Sequence, residues 1–300
     1  MSEHVVHTAV LEDCLNIMSV SGKLNETFLE IITKYREFAE MGSITKSGDK
    51  FTYKLLEKYR DQADEIKENE KLKTRLAFVF GWLAHRSADR EMKPIWRGGD
   101  FDTSKSPSDC SLYHEAFIFN RYYTESDIYQ RALVDDILDG FTNSQGINRD
   151  LFIKLVRSTL KRVLIEMHTF VPDHDDVEGW LDKLYSRKQK FKEDVIHRYT
   201  EAIINPDPEK VKLYIEETNF YNEEDKINKL AIKLREGDKV DIREVEEALE
   251  AESSSHYAIT VQRACFYLIA ANDYFEGKID TDTLTDKFDI GKPGRHGGSV

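Results

Sequence analysis

The stretch Phe78–Pro94, FVFGWLAHRSADREMKP, decides how this chain is read. Its apolar residues recur at three and four spacing, which predicts a helix rather than a strand. His85 and Asp89 stand four positions apart, so both side chains leave one face of that helix. The surrounding face is small, with Gly81, Ala84 and Ala88 beside the pair. A histidine and a carboxylate projecting together from an apolar helix, with little bulk around them, can hold a metal ion in a helical core. The helix is expected to begin near Glu70 and to end at Pro94, where a backbone donor is lost.

On the N-terminal side, residues 3–20 read as a helix with an apolar stripe of Val6, Val10, Leu11, Cys14, Leu15 and Met18. His7 lies on the edge of that stripe. A second helix is expected from Asn25 to Met41, then a turn-rich break, GSITKSGDK, that contains Asp49. Another helix is expected from about Thr52 to Ile66. On the C-terminal side, IWRGGDFDTSKSPSDCS reads as a long irregular segment of the kind that often carries function. Helicity resumes at Leu112 and brings His114 and Glu115.

The helix expected at 125–141 contains DDILDG, with Asp135 and Asp139 on one face and Asp136 adjacent. In form the run resembles the DDxxD segment with which prenyl-diphosphate synthases hold magnesium and diphosphate. A solvated acidic face supported by Arg131 explains the same residues. Further on, His174–Asp175 has the form of the central pair of an HD-type phosphohydrolase, but it follows Pro172 in a stretch that reads as a loop capping the next helix through Asp175 or Asp176. His197 and Glu201, at i, i+4, read as a pair on a helix surface. Asn205-Pro206-Asp207-Pro208 marks a boundary. It divides a helical, metal-binding domain at 1–205 from an acidic helical subdomain at 206–290. Helices are expected there at Pro208–Thr218, Glu223–Arg235, Asp241–Glu250 and Tyr257–Phe275. The tail at 291–300 is too polar and glycine-rich to pack.

Composition supports an all-α, multi-helix bundle. The chain has 300 residues, 40 % of them hydrophobic and 33 % charged, with 15 glycines and 6 prolines, which favours long helices over a sheet cut by turns. A net charge of −13 argues against general coating of nucleic acid, although an acidic site could still gather cations. No window is apolar enough to span a membrane, and the N-terminus has no secretory pattern. Cys14, Cys110 and Cys265 are odd in number and far apart, which predicts reduced thiols and a soluble, cytoplasmic protein. Oligomeric state is not legible.

Two of these elements resemble the zinc-dependent phospholipase C family, whose helical fold is shared with single-strand-specific nucleases. HTAVLEDCL at 7–15 is similar to the family's first helix, and GWLAHRSAD at 81–89 is similar to its central Gly-x-x-x-His-x-x-x-Asp helix. The resemblance implies that His7, His85 and Asp89 are metal ligands. More loosely, it adds His114 from the next ligand helix and Asp49 as a loop aspartate. Lys93-Pro94 stands where the family usually has His-Pro, Ile118 stands where His-x-x-x-Glu would place its glutamate, and no histidine lies between His7 and His85. One or two zinc ions are therefore expected, with a water acidified toward a pKa of ~7 for attack on phosphorus. Arg86, Arg90 and Arg97 are the candidates for a substrate phosphate, borne on a small phosphate ester or a lipid headgroup. Two rival readings are an inactive helical interaction protein of the same fold, and a magnesium enzyme that uses Asp135, Asp136 and Asp139 on a diphosphate.

Overall fold

A computed structural model describes residues 4–44, 49–98, 107–122 and 207–292. Among them the regular structure is helical, as the composition requires, and no strand occurs. The chain falls into two compact units, one of Met1–Val6 with Lys105–Glu217 and one of His7–Ser104 with Thr218–Val300. The second unit holds the candidate site.

At the centre of that unit is α6, Glu70–Gly98. Every residue from 81 to 92 is buried, so the helix is enclosed on all sides rather than along one stripe. It passes through Pro94 instead of ending there. The missing N–H leaves the Arg90 carbonyl without its helical donor, but the last turn continues. Around it lie α1 (His4–Val20), α2 (Glu26–Lys34), α3 (Arg36–Ser43), α4 (Asp49–Arg60) and α5 (Ala63–Ile66). From the C-terminal part of the chain come α9 (Lys226–Glu236), α10 (Ile242–Glu250), α11 (His256–Phe275) and α12 (Thr281–Lys287). The packing of α6 is mainly against α3 and α11.

The contact between α3 and α6 is unusually close because both helices carry a glycine at the crossing. A Cβ on Gly81 would overlap the Ala39 carbonyl and lie 2.6 Å from the Ser43 nitrogen, and one on Gly42 would overlap the Phe78 carbonyl. The expected single helix from Asn25 to Met41 is in fact two, α2 and α3, which divide at Tyr35 (φ −118°, ψ 32°). Asp49 opens α4 rather than sitting in a loop. The short α12, with Leu284 as its buried anchor and Asp280 accepting from the Thr283 N–H, was not anticipated.

From Val5 to Ser19, helix α1 is buried apart from a narrow stripe at Thr8, Glu12, Asn16 and Ser19. Its rotation is fixed by a polar anchor. Asp13, with no exposed surface, accepts from Arg235 Nε at 2.5 Å and from the Tyr257 hydroxyl at 2.7 Å. Arg235 also pairs with Glu12 and donates to the Ala9 carbonyl. Burial raises the Asp13 pKa above its ordinary value of 3.8, opposed by the Arg235 charge and by hydrogen bonds from Tyr257 and Arg235.

The first unit is described at α7 (Pro107–Tyr122) and at α8 (Pro208–Val211), which continues into a wider π-helical turn, Lys212–Glu217. Helicity therefore begins at Pro107, earlier than Leu112. The Tyr113 and Tyr214 rings meet at 5.4 Å between centroids.

Candidate metal centre

Two helices build the site. His7 comes from the first turns of α1, and His85 and Asp89 come from consecutive turns of α6. The i, i+4 spacing stacks the last two along α6, and the fixed rotation of α1 turns His7 toward them. His85 Nε2 lies 3.3 Å from Asp89 Oδ2, and His7 Nε2 lies 3.7 Å from Asp89 Oδ1. The two imidazole rings are 4.3 Å apart between centroids and inclined by 36°. One ligand atom from each of the three lies within 4.8 Å of the others. Among the described residues this is the only cluster of three His, Cys, Asp or Glu side chains so placed.

The donor set and spacing fit a transition-metal ion. Zinc bonds of 2.0–2.1 Å to nitrogen and oxygen place tetrahedral ligand atoms about 3.3–3.4 Å apart. The observed 3.3 and 3.7 Å run to the two different oxygens of Asp89, and with all three ligand atoms within 4.8 Å the side chains would draw together to meet that edge around an ion. Two neutral nitrogens and one carboxylate suit zinc and similar borderline ions better than magnesium or calcium, which prefer oxygen. Three protein ligands leave one coordination position open, the pattern of catalytic rather than closed structural sites. The residues are only 1 %, 4 % and 7 % exposed for His7, His85 and Asp89, so the dielectric around an ion would be low.

The other sequence candidates are placed elsewhere. His114 belongs to the first unit, where its Nε2 contacts the Tyr214 carbonyl; its neighbour Glu115 accepts from the Val5 N–H at 3.0 Å. The side chains of Asp49 and Arg97, and all of Asp135, Asp136, Asp139, His174, Asp175, His197 and Glu201, lie outside the described residues, as does the tail from 293. Arg86 and Arg90 are buried and hold the segment after α12. Arg86 donates from Nε to the Phe288 carbonyl at 2.8 Å and from Nη2 to the Asp289 carbonyl at 3.1 Å. Arg90 Nη1 donates to the carbonyls of Asp289 and Lys292, each at 3.1 Å. Burial lowers the Arg86 pKa, and the carbonyls at the end of α12 compensate the charge that remains. Arg86→Ala should therefore cost about 2 kcal/mol, because two carbonyls lose a charged donor. Urea denaturation checks this; a change below about 0.5 kcal/mol, the size of an ordinary surface substitution, would mean that the contacts contribute nothing.

Sequence reasoning missed the backbone carbonyl of Ser43, which lies 2.8 Å from His85 Nδ1. Its signal was the glycine pair. Gly81 was read as part of a small helix face, but Gly42 was assigned to a turn-rich break, so the helix crossing they form could not be seen. No family model, curated protein or solved structure matches this chain. None of the described helices is long and apolar enough to cross a membrane.

Proposed function

We propose that the chain is a zinc-dependent hydrolase of phosphoric esters, of phospholipase C type in fold and chemistry. It acts in the cytoplasm on a small phosphate ester or a lipid headgroup. One observation carries the reading: two imidazoles and a carboxylate from α1 and α6 gather their ligand atoms within 4.8 Å. Cys14 and Cys265, buried as free thiols, support a reducing compartment.

His7 and His85 would supply neutral nitrogen donors, and Asp89 would supply the one negative charge. The bound ion would contribute Lewis acidity, lowering the pKa of a water and withdrawing charge from a phosphoryl oxygen. The helices hold the three donors without loop reorganisation, so the geometry is preorganised, and burial excludes competing solvent. Because Arg86 and Arg90 hold the C-terminal segment, the reading assigns the substrate phosphate no arginine from α6 within the described residues.

Protein purified without added metal should contain stoichiometric zinc or a similar ion and cleave a chromogenic phosphodiester. Asp89→Asn should remove both. Wild-type protein that is metal-free, with melting unmoved by added zinc, would defeat the reading. The burial of all three ligands favours a second reading, in which the ion ties α1 to α6 without turnover. Stoichiometric zinc with a zinc-dependent melting temperature, but no hydrolysis of phosphodiester or phosphomonoester, would select it.

A further inference from the structure

We propose that the α3–α6 crossing at Gly42 and Gly81 fixes His85 in its metal-binding tautomer, with Ser43 as the positioning residue. The inference rests on the metal reading above and concerns which ring nitrogen binds the ion. A carbonyl oxygen only accepts, so the 2.8 Å contact between His85 Nδ1 and Ser43 O places the proton of the neutral ring on Nδ1. Nε2 then presents its lone pair on the side where Asp89 Oδ2 lies 3.3 Å away.

The competing arrangement is an ordinary one. A neutral histidine protonated on Nε2 would donate to Asp89 across one helical turn, and the pair would close into an inert core hydrogen bond with no donor for an ion. The Ser43 carbonyl separates these outcomes. A backbone acceptor behind a ligating imidazole sets ring orientation and raises the basicity of the ligating nitrogen.

The carbonyl is available because Ser43 is the last residue of α3, where carbonyls have no helical donor ahead of them. It is close enough because neither helix carries a side chain at the crossing. An added Cβ on Gly42 meets the backbone of Phe78, and one on Gly81 meets the backbone of Ala39, so neither can be relieved by a rotamer change. Ser43 itself is fully buried, so in the packed crossing bulk water does not compete with His85 for its carbonyl. Gly42 and Gly81 thus act on the ion through Ser43 and His85.

The test uses the full chain with imidazole nitrogens labelled, stripped of metal and held at mildly alkaline pH. Long-range nitrogen–proton NMR correlations should show His85 of the wild type as the Nδ1–H tautomer. Gly42→Ala should shift it toward Nε2–H and weaken zinc binding, measured against a competing chelator, by about 10- to 100-fold, the range typical when a ligating histidine loses the hydrogen bond behind it. An Nε2–H tautomer in the wild type overturns the proposal, and needs no variant to fold. A folded Gly42→Ala protein that keeps both the Nδ1–H tautomer and full zinc affinity also overturns it. A wild type that shows Nδ1–H but binds no zinc defeats the metal reading instead.

Discussion

Gly81→Ala is expected to destabilise the protein by about 3 kcal/mol, although helix propensity alone favours alanine by about 1 kcal/mol. The sign follows from what the new methyl meets. At an exposed helical position the substitution removes backbone entropy from the unfolded chain and stabilises. At Gly81 the Cβ would overlap the Ala39 carbonyl and sit 2.6 Å from the Ser43 nitrogen, both backbone atoms of α3. Relief requires the two helices to move apart. The cost therefore belongs at the upper end of the overpacking range, since Phe80, Leu83 and Ala84 on the same helix are also buried and resist displacement. Denaturant titration checks it: the midpoint should fall with the slope unchanged. A variant as stable as wild type would show that α3 does not pack on α6 at this depth.

The second large effect is expected at Arg235. Arg235→Met should cost about 3–5 kcal/mol at neutral pH, because it leaves Asp13 buried with its charge uncompensated. Methionine retains most of the packing volume, so the loss reports the ion pair rather than a cavity. The cost should shrink in acid. Burial raises the folded pKa of Asp13 above the ordinary 3.8, and the Arg235 charge opposes that rise. A carboxyl raised in the folded state contributes stability that is fully present below the unfolded value and is lost as pH rises through the folded value. Without Arg235 the folded value climbs further, so protonation on acidification recovers stability that the variant lacks at neutrality. Melting temperatures of both proteins from neutral pH down to about 4, near the unfolded carboxylate value, should converge. A gap that stays constant or widens would remove Asp13 from the account.

The centre of the fold was legible because its signal is local. Small residues at 81, 84 and 88 and a ligand pair at 85 and 89 repeat with the helix period, so α6 and one face of the site follow from a single segment. The helices expected at Asp241–Glu250 and Tyr257–Phe275 were legible in the same way and are α10 and α11, although their capping residues Asp241 and Ser255, which accept from the Arg243 and Ala258 N–H groups, were not singled out. What was not legible depends on partners far along the chain. Arg86 and Arg90 look like solvated helix charges until the carbonyls of residues 288, 289 and 292 are set against them. The break at Tyr35 has neither proline nor glycine to announce it. Pro94 misled in the opposite direction, since a helix enclosed on all sides has tertiary packing to continue past a lost hydrogen bond.

The clasp on the segment after α12 has a consequence for how the protein is made. Arg86 donates to a carbonyl 202 residues later, so the core helix leaves the ribosome well before that contact can form. At about 5–20 residues per second, the interval is roughly 10–40 s. During it α6 lacks its partner α11, and the apolar side chains of Phe80, Leu83 and Met92 wait for a core that is not yet complete. Nascent chains stalled before residue 288 should therefore be held by chaperones or degraded, and emergence of residues 288–292 should trigger the acquisition of protease resistance in one late step.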